Sequence, residues 1–193
     1  MRYEDYIKMD SSFDEAYFKT RVVNTFVKYY TAVMLNELDN VKHFITEEVY
    51  NDAKNYIENC YTNGFRPMYE KVTVVNQMIK GVEVLGASYC INVEVTSQCY
   101  KYKMSLEDNS IIDGDDKNMV KIRYDLKFIK KMGAKDLGEV RTCPHCGHNM
   151  DINNSGKCSY CGGIYDLDEF DWILSSIKEA PDVIYGYGDS IIE

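Results

Sequence analysis

The sequence predicts an α+β protein in which helices pack in a curved antiparallel sheet, followed by a small four-cysteine module and an acidic tail. Three observations predict it. Apolar residues recur at helical spacing before Gly64, they alternate at period two from Val72 to Phe128, and two cysteine pairs stand near the C-terminal end. A chain of 193 residues accommodates one domain with a real core plus a small module. The expected divisions are 1–135 for the helix-and-sheet domain, 136–167 for the cysteine module and 168–193 for the tail.

Ser12 with Glu15 three residues on reads as a capping box, and Phe18, Val22, Phe26, Tyr30 and Val33 then recur on one helical face. A first helix from about Phe13 to Asn36 is expected. Leu38 to Ile45 reads as a short second helix, and Thr46 caps a third, Glu47 to Asn63, which Gly64 ends. Strand character begins at Val72–Ile79 and sharpens where Tyr89, Ile91, Val93 and Val95 share a face. The apolar parity then passes to Tyr100, Tyr102 and Met104, which predicts a bulge or bend near Ser97. In the last strand Val120, Ile122, Tyr124, Leu126 and Phe128 oppose Lys121, Arg123, Asp125 and Lys127, the pattern of a half-buried strand with a charged outer face. The acidic run Glu107–Asp116 departs from the alternating-donor pattern of a calcium loop and reads as a hairpin connection.

The pairs Cys143-Pro-His-Cys146-Gly and Cys158-Ser-Tyr-Cys161-Gly have eleven residues between their inner members. Each pair forms a tight turn, and the glycine after it lets backbone amides point at the sulfurs. Four thiolates from two such turns suit structural Zn2+, because a site with every position taken by protein leaves no vacancy for water or substrate. A ribbon this small depends on its ion for shape. Iron in the same tetrahedral sulfur geometry is the alternative. His145 and His148 flank the first turn and read as exposed loop residues. Cys60, Cys90 and Cys99 lack motif spacing, and no secretory leader precedes Ser11, so a reducing, cytoplasmic setting is expected.

The net charge of -9 is unevenly placed. Residues 166–193 carry eight acids against Lys178 alone, which leaves -2 for residues 1–165. Between Lys117 and Arg141 eight basic residues face three acids. Lys101, Lys103, Lys121, Arg123 and Lys127 are therefore candidates for contact with an anionic surface, either lipid headgroups or the chain's own tail. The cysteine module has only Arg141 and Lys157 as positive side chains, too few for phosphate contacts, so nucleic acid is not an expected partner. No window has the roughly eighteen consecutive apolar residues of a membrane span.

Several stretches together resemble the bacterial Tim44-like family. They are Phe13-Asp14-Glu15 through Lys28, Leu38-Asp39-Asn40 to Thr46-Glu47-Glu48, the Val120–Lys131 strand, Asp151 to Gly162 with the second cysteine pair, and Phe170-Asp171-Trp172-Ile173-Leu174-Ser175-Ser176-Ile177. The resemblance implies a cone-shaped, cystatin-like fold like that of nuclear transport factor two. It also implies kinship with the C-terminal domain of the mitochondrial import-motor adaptor, a docking element beside a membrane that associates with anionic lipid. Several bacterial members that it resembles carry a membrane-spanning or glycine-rich segment ahead of the cone. Here Met1 stands ten residues before Ser11, and that anchor is not expected.

A cone of this kind encloses an apolar concavity, with Phe26, Tyr30, Tyr89, Ile91, Tyr124 and Phe128 as candidate lining. An enzyme in it would need an inward acid or base. In the two clearest strands Glu94 and Asp125 fall on the polar face, and His43 is the only histidine outside the ribbon. No catalytic residue is assigned. The expectation is a non-catalytic adaptor with a protein or peptide partner that takes a peptide or hydrophobic ligand in the concavity. A small-molecule enzyme or carrier is the alternative, and the number of subunits is left open.

Overall fold

A computed structural model describes residues 2–10, 13–134, 147–148, 158, 160–162 and 171–180. Its elements run α1 (Tyr3–Met9), α2 (Glu15–Leu35), two 3-10 turns (Leu38–Asn40 and Lys42–Phe44), α3 (Glu47–Thr62), β1 (Phe65–Leu85), β2 (Ser88–Ser105), β3 (Ile111–Lys131) and β4 (Ile173–Glu179). The four strands form one antiparallel sheet in the order β1-β2-β3-β4. Helices packed on one side of a curved antiparallel sheet make this the expected α+β cone.

The helix signals hold in kind and shift in detail. Asp14 caps α2, its carboxylate accepting from the Tyr17 amide at 3.0 Å. Ser12, the expected cap, lies outside the described residues. Glu15 instead accepts a 2.7 Å hydrogen bond from the Tyr3 hydroxyl and pairs with Lys19. Thr46 caps α3 as its spacing predicts, and Gly64 follows that helix at φ +80°. The segment from Leu38 to Ile45 is two 3-10 turns in place of one short helix.

The sheet curves because its long strands are out of step. β1 carries register shifts at Glu70/Thr73, Val74/Asn76 and Ile79/Gly81, with Lys71 at φ +52° in the first of them. Opposite this, β2 and β3 lose register between Cys99 and Lys101. The predicted bend near Ser97 is therefore shared by three strands, and each extra residue adds local twist. Val95, Ser97 and Cys99 stay buried up to this point, and burial resumes at Tyr102.

α2 lies across the concave face. Phe18 meets Phe128 (ring centroids 5.8 Å apart), Phe26 meets Tyr124 (5.0 Å), and Tyr30 meets Tyr69 (4.7 Å). Trp172 is 1% exposed and packs edge-on against Phe18 at 5.2 Å. The stretch 171–180, expected in the tail, is therefore part of the cone: β4 covers the β3 edge, and Thr46 donates its amide to the Leu174 carbonyl at 2.9 Å. Ile173–Glu179 pair as a strand because β3 offers an unpaired edge, and Trp172 just ahead of it fills a slot in the core.

Candidate functional site

The four-cysteine segment falls in the connection between β3 and β4, so the chain leaves the sheet at Lys131 and returns to it at Ile173. The module is an insertion in the cone and not an appendage after it. Cys143 and Cys146 lie outside the described residues. In the second turn Cys158 is 3% exposed, Cys161 is exposed, and the Gly162 amide donates to the Cys158 carbonyl at 2.9 Å. Gly147 and Gly162, each directly after the second cysteine of its pair, both sit at φ +70°. That left-handed conformation suits glycine. The His148 ring stacks on Tyr160 at 4.2 Å with an 11° interplanar angle, which brings the flank of the first turn against the middle of the second. Among the described residues no group of three His, Cys, Asp or Glu gathers as metal ligands; these residues include only half of the expected thiolate set.

The concavity is filled by its own lining. Phe26, Ile91 and Phe128 are fully buried, Tyr124 is 1% exposed and Tyr30 8%. Phe26, Tyr30 and Tyr124 are in mutual ring contact, and Tyr89, half-buried, packs on Tyr6 of α1 at 5.0 Å. Phe26, Tyr30, Ile91, Tyr124 and Phe128 thus belong to the buried aromatic and aliphatic core beneath α2. Burial pushes Tyr29 up to about 12 and holds the Tyr30, Tyr69 and Tyr124 phenols above their usual range. They are neutral packing groups near neutral pH.

Asp171 is the one buried carboxylate among the described residues. Its Oδ2 accepts from the Tyr17 hydroxyl at 2.7 Å and lies 3.4 Å from Arg21 Nε, while its Oδ1 accepts from the Trp172 amide at 2.7 Å. Arg21 also donates to the Trp172 carbonyl at 3.1 Å, and its guanidinium lies over the Phe44 ring at 4.5 Å. Its contacts with Tyr17 and Arg21 tie the approach to β4 to α2, and the Trp172 amide fixes the carboxylate locally. It is a fastening point, with its acceptor positions taken by the protein.

The basic residues of the outer sheet have carboxylate neighbours. Lys101 pairs with Glu179 at 2.7 Å, Lys103 with Asp113 at 2.9 Å and Lys127 with Glu83 at 3.7 Å. Lys121 is exposed, Arg123 is half-buried, and in register they stand beside Gln98 and Thr96. The face is a mixed pattern of both signs. Such exposed pairs are worth about 0.2–1 kcal/mol each, weak enough for a stronger anion to displace them.

A feature not anticipated from sequence is an open groove of about 810 Å3 between the end of α2, the first 3-10 turn and α3. Leu38 and Ile57 form its floor, Tyr50 and Tyr61 its walls, and Glu37, Asp39 and Glu58 its rim. Its residues come from three elements, so only tertiary structure brings them together.

A filled cone with surface grooves defines an α+β binding domain. A family profile described as Tim44-like domain matches residues 2–138, and the chain belongs to that family. Membership carries a binding or adaptor role as its coarse functional meaning, since domains of this family are generally non-catalytic binding domains. No curated protein matches the chain. Among the described residues no helix is long and apolar enough to cross a membrane.

Proposed function

We propose that this chain is a non-catalytic, cytoplasmic adaptor that docks a protein partner on the outside of its cone. In this reading it holds structural Zn2+ on Cys143, Cys146, Cys158 and Cys161, and its outer sheet face makes peripheral contact with an anionic membrane surface. The observation that carries the adaptor reading is the filled interior. With Phe26, Tyr30, Ile91, Tyr124 and Phe128 packed on one another, recognition falls to the surface. The single buried carboxylate of the described cone, Asp171, is engaged by Arg21, Tyr17 and the Trp172 amide, which removes the interior acid or base an enzyme of this shape would use.

The metal reading draws on the donor set and on the two glycines at φ +70° that follow Cys146 and Cys161. Four thiolates with no open position would give the ion a role in shaping the insertion. Lys121 and Lys127 on the outer sheet supply the positive charge for headgroups.

Native mass spectrometry of the complex purified at low salt tests this reading. The expected result is a partner polypeptide bound to a chain carrying one zinc ion. A chain without a protein partner that retains a stoichiometric organic molecule would overturn the adaptor reading in favour of a carrier or enzyme.

A further inference from the structure

We infer that residues 181–184 continue β4 along the open edge of β3 and hold an acid over Lys121 and Arg123, masking that cationic pair from an anionic surface. This rests on the membrane-contact reading and gives it a competitor built into the chain. Residues 181–184 lie outside the described ones, so the inference is drawn from the edge they would meet and the register in which the chain reaches it.

β4 pairs with β3 only from Tyr124 to Ile129. The edge beyond runs through residues 119–123 and stops where the Asp115 carboxylate takes the Lys117 and Asn118 amides in a turn. The chain has already entered it. The Ala180 amide donates to the Arg123 carbonyl at 2.8 Å, one position past the last paired residues, Tyr124 and Glu179. Extending that register sets Pro181 opposite Ile122, Asp182 opposite Lys121, Val183 opposite Val120 and Ile184 opposite Met119.

The residues that arrive suit the places they would take. Backbone groups alternate in direction along a strand, so with Ala180 aimed at β3, position 182 aims there too and position 181 points away. Pro181, which has no N–H, therefore falls where the ladder needs none. Asp182 comes directly across from the exposed Lys121 and diagonal to Arg123, the cross-strand arrangement that opposite charges favour. Val183 comes on the other face beside Val120, a partly buried residue packed against the core.

Amide hydrogen exchange followed by NMR on the full-length, as-purified chain reads the strand directly. In this register the Lys121 amide is aimed at residue 182 and is protected, and the protection does not depend on protein concentration. Asp182→Pro removes one ladder bond and one ion pair, together worth about a factor of ten, and should speed exchange at Lys121 by that factor. Val183→Pro places its ring where the N–H points away from β3 and should leave exchange within about two-fold. The Tyr124 amide, on the β2 side of β3, should exchange alike in all three proteins, which shows that the sheet persists.

Binding to vesicles of phosphatidylserine and phosphatidylcholine reads the masking. Asp182→Asn should bind about five-fold more tightly, the worth of one uncovered cation near such a surface, and Asp189→Asn should stay within about two-fold. An unprotected Lys121 amide, equal effects of the two prolines, or equal gains from the two asparagines overturns the inference. So does protection that is lost on dilution, which would give the edge to a second copy. Protection at Lys121 with no vesicle binding by any form supports the added strand and overturns the membrane-contact reading, and the masking with it.

Discussion

Asp171→Asn tests how the returning strand is fastened to the cone. The carboxylate is fully buried, Arg21 is 7% exposed, and they approach to 3.4 Å. An asparagine keeps an oxygen for the Trp172 amide but leaves the Arg21 guanidinium buried without its counter-charge. Removing one partner of such a pair costs about 3–5 kcal/mol, against a total stability of about 5–15 kcal/mol for a domain. At about 2–4 °C per kcal/mol for a chain of this size, the melting temperature should fall by about 6–20 °C. Arg21→Met removes the charge from the other side. In that background Asp171→Asn should cost less than about 1.5 kcal/mol, because no buried cation is then left uncompensated. Urea denaturation of the four proteins measures the coupling. A cost below about 1 kcal/mol for Asp171→Asn, or the same cost in both backgrounds, would refute the reasoning.

Gly114 sits at φ +82°, and a Cβ there would fall 2.6 Å from the Tyr102 Cα and against the Lys101 carbonyl oxygen, both backbone atoms. Gly114→Ala should therefore destabilise by about 1–3 kcal/mol in a denaturant titration, whereas Gly86→Ala meets only its unfavourable φ. The Tyr29 phenol, raised to about 12 by burial, is near 10 in the unfolded chain. Above pH 10 the unfolded state holds fewer protons, so this contribution to stability is complete below pH 10 and lost as pH rises through about 12, a fall that denaturation at pH 9, 10.5 and 12 would register. Burial likewise raises the Cys60 and Cys90 thiols and takes Cys99 to about 11, so all three should react with a disulfide reagent only on unfolding. Metal removal should leave the cone standing. The β3–β4 connection spans 41 residues, and even halving its effective length by a metal cross-link changes closure entropy by only about 0.6 kcal/mol. Chelation should lower the cone's melting temperature by less than about 3 °C.

Local signals in the sequence carried the elements whose physics is local. Thr46 and Gly64 bound α3 because a hydroxyl cap and a left-handed glycine act within one turn. The period-two run from Val120 to Phe128 identified the second half of β3, where Ile122, Tyr124, Leu126 and Phe128 bury one face. α1 escaped notice: seven residues with Tyr6 as their one buried side chain give no repeat to read. β4 was hard to read because Phe170, Trp172 and Leu174 alternate as in a strand while Trp172, Ile173 and Ile177 suit a helical turn, and its pairing with β3 spans the whole inserted segment. The Arg21–Asp171 fastening joins residues 150 positions apart, and no pattern in either neighbourhood announces it. Aromatic residues such as Tyr30 and Tyr124 were correctly placed inside, yet composition alone does not separate rings that line a space from rings that fill it. The outer sheet looked basic because Glu83, Asp113 and Glu179, which answer its lysines, come from other strands or another part of the strand.

Elemental analysis of the chain purified without added metal most directly tests the proposal that two thiolate turns close on one ion within an otherwise self-sufficient cone. One zinc per chain is expected, lost in Cys158→Ser while the cone's thermal transition stays within a few degrees. A chain free of stoichiometric metal, a coloured iron centre, or a cone that unfolds with the loss of the ion would contradict it.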